Sequence, residues 1–189
     1  MRLRAVSALL VFLALAQGAG ATPGAQRAFD VGDSLSAGTA LFLPVQLRGW
    51  SIQTHHDVGL HLEQGVRLIQ SLGASLPPVV IVSLGTNDDP RFVTGFGRGL
   101  ERILAAAGPE RCVVWTTIAR PPAAGASYAG YNRALRRVAS QRRNLVVVDW
   151  AAMVRAHPEW LRGDGVHVTA TGYRARAVAI ATAVMTGCR

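Results

Sequence analysis

The 189-residue chain contains no lysine: its 20 basic residues are all arginine, set against 11 acidic ones. Alanine, glycine and arginine are abundant alongside that absence, so the missing lysine reads as a compositional bias of the genome. The net charge of +9 is thereby weak evidence for an anionic partner. The densest basic cluster, Arg133, Arg136, Arg137, Arg142 and Arg143, has no aromatic among its members. Binders of single strands interleave the two so that bases can stack. The cluster reads as a solvated helix face, and no nucleic acid is expected as a partner.

Cysteine is almost absent too, with only Cys112 and Cys188. No Cys/His spacing of a known metal site occurs, and His55 and His56, adjacent on a strand, point to opposite faces. Asp57 and His61 read as borders of a cleft. Asp88 and Asp89 are neighbours in a loop and read as a turn, not as a pair of working carboxylates. No glycine-rich phosphate loop follows the first strand, which argues against nucleotide binding. No metal and no organic cofactor is expected.

Long apolar runs are confined to one place. Arg2 and Arg4 precede an uncharged run of 12 residues at 5–16, apolar but for Ser7, and Gln17-Gly18-Ala19-Gly20-Ala21 ends in a small-x-small site. This is the layout of a secretory signal peptide, residues 1–21. The rival, a membrane anchor, needs roughly 20 apolar residues. No cysteine at the cleavage point offers a lipid attachment site. The expected product is an exported monomer, periplasmic or extracellular, with no stable membrane insertion and one domain over residues 22–189.

What is present alternates. Ala28-Phe29-Asp30-Val31 reads as a strand, residues 36–47 as a helix and residues 52–57 as a second strand. Leu62, Val66, Ile69 and Leu72 recur at helical spacing before Pro77-Pro78. Residues 79–84 form an apolar, β-branched run, as in a central parallel strand buried on both faces. A stripe from Phe92 and Val93 through Phe96, Leu100, Ile103, Leu104 and Ala107 predicts a helix, and residues 112–118 a fourth strand. Tyr128, Tyr131, Leu135 and Val138 mark another helix, residues 145–149 a fifth strand and residues 169–185 a closing helix. Strand–helix alternation predicts an α/β fold, a three-layer α/β/α sandwich around a five-stranded parallel sheet. In that topology Cys112 at a strand's start and Cys188 past the last helix share one edge. A bridge between them is geometrically feasible, with two free thiols as the alternative.

Ligands of such sheets bind where the loops after the strands gather. Ser34 follows strand one in Gly32-Asp33-Ser34-Leu35, Gly59 follows strand two, and Asn87 follows strand three in Gly85-Thr86-Asn87-Asp88. Asp164 and His167 precede the last helix, and the irregular loop of residues 120–127 borders the same edge. Ester cleavage by a serine needs a base, a group that orients the base, and donors for the oxyanion. Ser34, His167 and Asp164 fit the first needs. The Ser34 N–H, the Gly59 N–H and the Asn87 amide fit the last. Each residue also has a plainer reading: Asp33 and Ser34 as a helix cap, Asn87 and Asp88 as a turn, Asp164-Gly165 as a turn beside an incidental histidine.

The set resembles the SGNH (GDSL-type) hydrolase superfamily, whose name-giving residues would be Ser34, Gly59, Asn87 and His167. The closing segment, with Val148-Asp149-Trp150, His157-Pro158-Glu159-Trp160 and Asp164-Gly165-Val166-His167, is similar to SGNH domains of cell-wall O-acetyl transfer. The resemblance implies a flavodoxin-like SGNH fold and a cofactor-free Ser-His-Asp esterase for small acyl groups, such as acetyl on carbohydrate. An O-acetylated glycan or another small acyl ester would be the substrate. The alternatives are an acyltransferase passing acetyl to a glycan hydroxyl and a non-catalytic glycan- or wall-binding domain.

Overall fold

The computed structural model describes residues 26–188; the signal-peptide reading of residues 1–21 lies outside them. Five strands, β1 (Arg27–Gly32), β2 (Ser51–His56), β3 (Val79–Ser83), β4 (Cys112–Thr116) and β5 (Leu145–Val148), form one sheet in the order β2-β1-β3-β4-β5. Every neighbouring pair is parallel. The helices are α1 (Ser34–Ala40), α2 (Leu43–Gln46), α3 (Leu62–Leu72), α4 (Val93–Ala107), α5 (Ala129–Ala139), α6 (Trp150–Ala156) and α7 (Ala170–Gly187).

Alternation along the strands sorts the core into two layers. Phe29, Val31, Val80, Val82, Val113 and Trp115 face α3, α4 and α5, whereas Ala28, Val79, Ile81 and Val114 face α2 and α7. Strand β3 is buried throughout, as its unbroken Val-Val-Ile-Val run requires. A third cluster, Trp150, Val154 and Val168, lies beside α6. No helix among the described residues is long and apolar enough to cross a membrane.

Two expectations need correction. The helix read over residues 36–47 begins at Ser34 and breaks after Ala40 into α1 and α2. Pro44 explains the break, because its ring would clash with the carbonyl four residues back and it has no N–H to donate. Phe92 is not part of the α4 stripe. It precedes the helix and is 64% exposed, after a turn in which its N–H donates to the Asp89 carbonyl.

Cys112 and Cys188 form a disulfide that joins the start of β4 to the end of α7, across 76 residues. It pins the last helix at the edge opposite the carboxyl ends of the strands. Reduction, or Cys188→Ser, is expected to lower the unfolding free energy by about 2–5 kcal/mol in urea titrations. An unchanged denaturation midpoint would show that the bridge does not restrain the unfolded chain.

Candidate functional site

The turn after β1 is built by backbone proximity. A Cβ on Gly32 would lie 2.6 Å from Ser36 Cβ and 2.8 Å from the Ser83 carbonyl, so only glycine lets β1 run this close to β3 and α1. Asp33 caps α1: its Oδ1 accepts from the Leu35 N–H at 2.9 Å, and its own N–H donates to the Ser83 carbonyl. Ser34 is therefore held as the first residue of α1. Asp33 is fully buried, and burial pushes its carboxyl up, opposed by the Leu35 N–H and by Arg176.

The second part is the loop before α7. The Arg162 N–H donates to the His167 carbonyl at 2.8 Å, and the Thr169 N–H to the Trp160 carbonyl at 2.8 Å, which closes residues 162–167 into a narrow loop. Trp160 stacks on His157 with ring centres 4.2 Å apart, and Trp150 lies parallel to Trp160 at 5.9 Å. These rings, with Val168, prop the loop from behind.

Inside the loop, Asp164 Oδ1 accepts from the Val166 and His167 N–H groups, each at 2.9 Å. Its Oδ2 lies 2.6 Å from His167 Nδ1. A carboxylate only accepts, so Nδ1 carries a proton, and in the neutral imidazole Nε2 is left as an acceptor. Ser34 Oγ is 2.8 Å from that Nε2. The His167 bond and the two N–H donors hold the Asp164 carboxyl down to about 2. Hydroxyl, imidazole and carboxylate thus form one continuous chain, with the His167 side chain 37% exposed and that of Asp164 50%.

Three donor groups lie on the loops of the same sheet edge. Among the described residues the Ser34 N–H, first in α1, and the Gly59 N–H find no acceptor. Gly59 has φ +79° in a turn where the Leu60 N–H donates to Asp57, a conformation that suits glycine at this position. Asn87 Nδ2 lies 3.3 Å from both Asp33 Oδ2 and the Leu60 carbonyl, so one side chain ties the three loops together. Asp88 acts as a structural turn residue, accepting from the Leu62 N–H at 3.0 Å and meeting His61 Nδ1 at 3.3 Å. His56 pairs inward with Asp30 at 3.0 Å and His55 with Asp57 at 3.1 Å. No group of three or more His, Cys, Asp or Glu among the described residues could hold a metal.

Arg176 of α7 is the part of the site that periodicity alone did not single out. It is 1% exposed and donates to Thr39 Oγ1 at 3.1 Å, Ser83 Oγ at 3.0 Å and Thr116 Oγ1 at 2.8 Å. Those hydroxyls belong to α1, β3 and β4, so one guanidinium locks three elements beneath the serine turn. Burial pushes its pKa down, and the charges of Asp33 and Asp30 oppose that. A signal did exist in the sequence. Gly172, Arg176, Ile180 and Val184 recur every four residues on the buried face of α7, which puts an arginine in an apolar register.

Known structures share this architecture. The catalytic domain of peptidoglycan O-acetyltransferase A from Streptococcus pneumoniae superposes with a TM-score of 0.73 at 22% identity, covering 86% of this chain and 94% of that one. A lipase/acylhydrolase from Enterococcus faecalis gives 0.66 at 20% identity, over 84% of this chain and 95% of that one. A carbohydrate esterase family 3 protein from Talaromyces cellulolyticus gives 0.67 at 17%, over 86% and 97%. These likenesses establish the SGNH hydrolase fold. No curated protein is similar enough in sequence to count as a match. The sequence itself matches the GDSL-like Lipase/Acylhydrolase family over residues 15–175, most of its length, and the chain belongs to that family.

Proposed function

We propose that the protein is an exported serine esterase that releases small acyl groups, acetyl foremost, from esters such as O-acetylated carbohydrate. The observation that carries this reading is the unbroken chain from Ser34 Oγ through His167 to Asp164, at 2.8 Å and 2.6 Å. Ser34 Oγ attacks the ester carbonyl while its proton passes to His167 Nε2, and Asp164 stabilises the imidazolium. The Ser34 and Gly59 N–H groups receive the oxyanion, joined by the Asn87 amide, which gives up one of its two long bonds, to Asp33 Oδ2 or the Leu60 carbonyl; each donor lowers the barrier by about 3 kcal/mol. His167 then protonates the departing alcohol. Water, deprotonated by the same imidazole, hydrolyses the acyl-enzyme, so the cycle needs no metal or cofactor.

The preference for short acyl groups is supported by how open the site is. His167 and Asp164 are partly exposed, and Val58, beside Gly59, is 88% exposed, so little protein is available to enclose a long chain. Residues 1–21 serve in this reading as the signal peptide of a domain spanning 22–189, and the Cys112–Cys188 bridge suits an oxidising destination. Acyl transfer to a sugar hydroxyl is the second reading, favoured by the fold shared with an O-acetyltransferase domain. The two differ only in which acceptor reaches the acyl-enzyme. A non-catalytic glycan binder would have no use for the Ser34–His167–Asp164 chain.

Rates on 4-nitrophenyl acetate, butyrate and octanoate test the reading. Acetate is expected to be fastest in kcat/KM, with turnover lost in Ser34→Ala. A maximum at octanoate would contradict the short-acyl assignment. Free acetate set against transferred acetyl on an acetylated glycan separates hydrolase from transferase.

A further inference from the structure

A cleft of about 360 Å3 lies between the start of α5, helix α6 and the loop after β4, and both Arg120 and Arg155 line it. It meets the Ser34 edge on two sides. At one wall Arg120 Nη1 donates to the carbonyl of Thr86, the residue before Asn87. At the other, Gly165, between Asp164 and His167, backs so closely onto Pro121 that a Cβ there would lie 2.8 Å from Pro121 Cγ.

Arg67, Arg91, Arg102, Arg136 and Arg142 are paired with carboxylates; among the described residues Arg120 and Arg155, like most of the arginines, have no acid within ion-pair distance. Arg120 is half-buried, with only a backbone carbonyl and the face of Tyr128, 5.9 Å away, against its guanidinium. Two arginines lining one cleft with no acid beside either suit a carboxylate ligand, which Arg binds with charge-assisted hydrogen bonds. Ile118, Val154 and Leu161 give the cleft an apolar wall suited to the C–H face of a sugar ring.

We propose that this cleft binds a carboxylate on the sugar that carries the ester, so that acidic acetylated saccharides are the preferred substrates. The consequence for turnover rests on the esterase reading, whereas the binding itself does not. Two sources of the carboxylate fit the cleft, a uronate and a lactyl ether on an amino sugar.

Binding is best measured by calorimetry on Ser34→Ala protein, which cannot turn over in the proposed mechanism. The ligands are an O-acetylated trigalacturonate against its methyl ester, and an O-acetylated N-acetylmuramate disaccharide against its lactyl amide. In at least one pair the free acid is expected to bind about tenfold more tightly than its neutral partner, a gap that shrinks as sodium chloride is raised. Arg155→Gln or Arg120→Gln in the same background is expected to erase most of that preference. The pair that shows it identifies the carboxylate. Equal binding within both pairs, or a preference that survives both substitutions, overturns the proposal. Failure of the wild type to hydrolyse 4-nitrophenyl acetate would count against the esterase reading alone.

Discussion

Alanine in place of His167 is expected to lower kcat on 4-nitrophenyl acetate by about a hundred-thousand- to a million-fold, the range for loss of the base in a serine triad. The expectation follows from geometry. Nε2 of His167 is the acceptor bonded to Ser34 Oγ, at 2.8 Å, so without it the hydroxyl proton has no destination at neutral pH. Asp164→Ala is expected to cost less, about a hundred- to ten-thousand-fold, because half of the Asp164 side chain is exposed and water can partly replace it. The carboxyl is held down to about 2, so Asp164 stays ionised through the working range and does not set the acid limb of the kcat/KM profile. Its contribution to folding has a matching sign. A lowered native pKa stabilises the fold above the ordinary value near 4, and that stabilisation fades as pH falls toward 2. A His167→Ala enzyme within tenfold of wild type would mean that another group takes the proton.

Replacing Arg176 by methionine is expected to destabilise the domain by about 3–5 kcal/mol, a large share of the 5–15 kcal/mol typical of a domain. The side chain is 1% exposed and its charge lies among those of Asp33 and Asp30. Removing it leaves the buried Asp33 without a nearby guanidinium, Asp30 with only its His56 and Ser36 bonds, and three hydroxyls on α1, β3 and β4 without their shared donor. Lysine restores the charge but cannot reproduce a planar fork, so Arg176→Lys is expected to recover only part of the loss. Thermal unfolding should show a drop of about 10 °C or more for Arg176→Met. A shift of less than about 3 °C would mean that the neighbouring hydroxyls and acids rearrange without cost.

Much of the scaffold was readable from the order of residues because each element carries its own period. Val79–Ser83 could only be a buried strand, and the serine, asparagine and histidine loops then had to share one edge of a parallel sheet. The same topology brought both cysteines to one edge and so made a bridge feasible, with two free thiols as the alternative; the folded chain forms the bridge. Helix α6 did not emerge: its seven residues are too few to display a period, and it is held by the Asp149 cap and by Trp150 and Val154 packing beside Val168. Phe92 was misplaced because an apolar residue one position ahead of a helix continues its stripe in sequence while facing solvent in space. Arg176 carried its register openly, but a charged residue on a core face is the exception that periodicity treats as noise. Arg120 and Arg155 could not be paired from sequence, because only the folded loop after β4 brings them to one cleft.

The account turns on Ser34 being an activated nucleophile, and a fluorophosphonate probe tests that most directly. Incubation of the folded domain at neutral pH, followed by peptide mapping, is expected to find one phosphonylated residue, Ser34. Labelling should be lost in Ser34→Ala and strongly slowed in His167→Ala. Well-folded wild-type protein that stays unlabelled, or a label on any other serine, would contradict it.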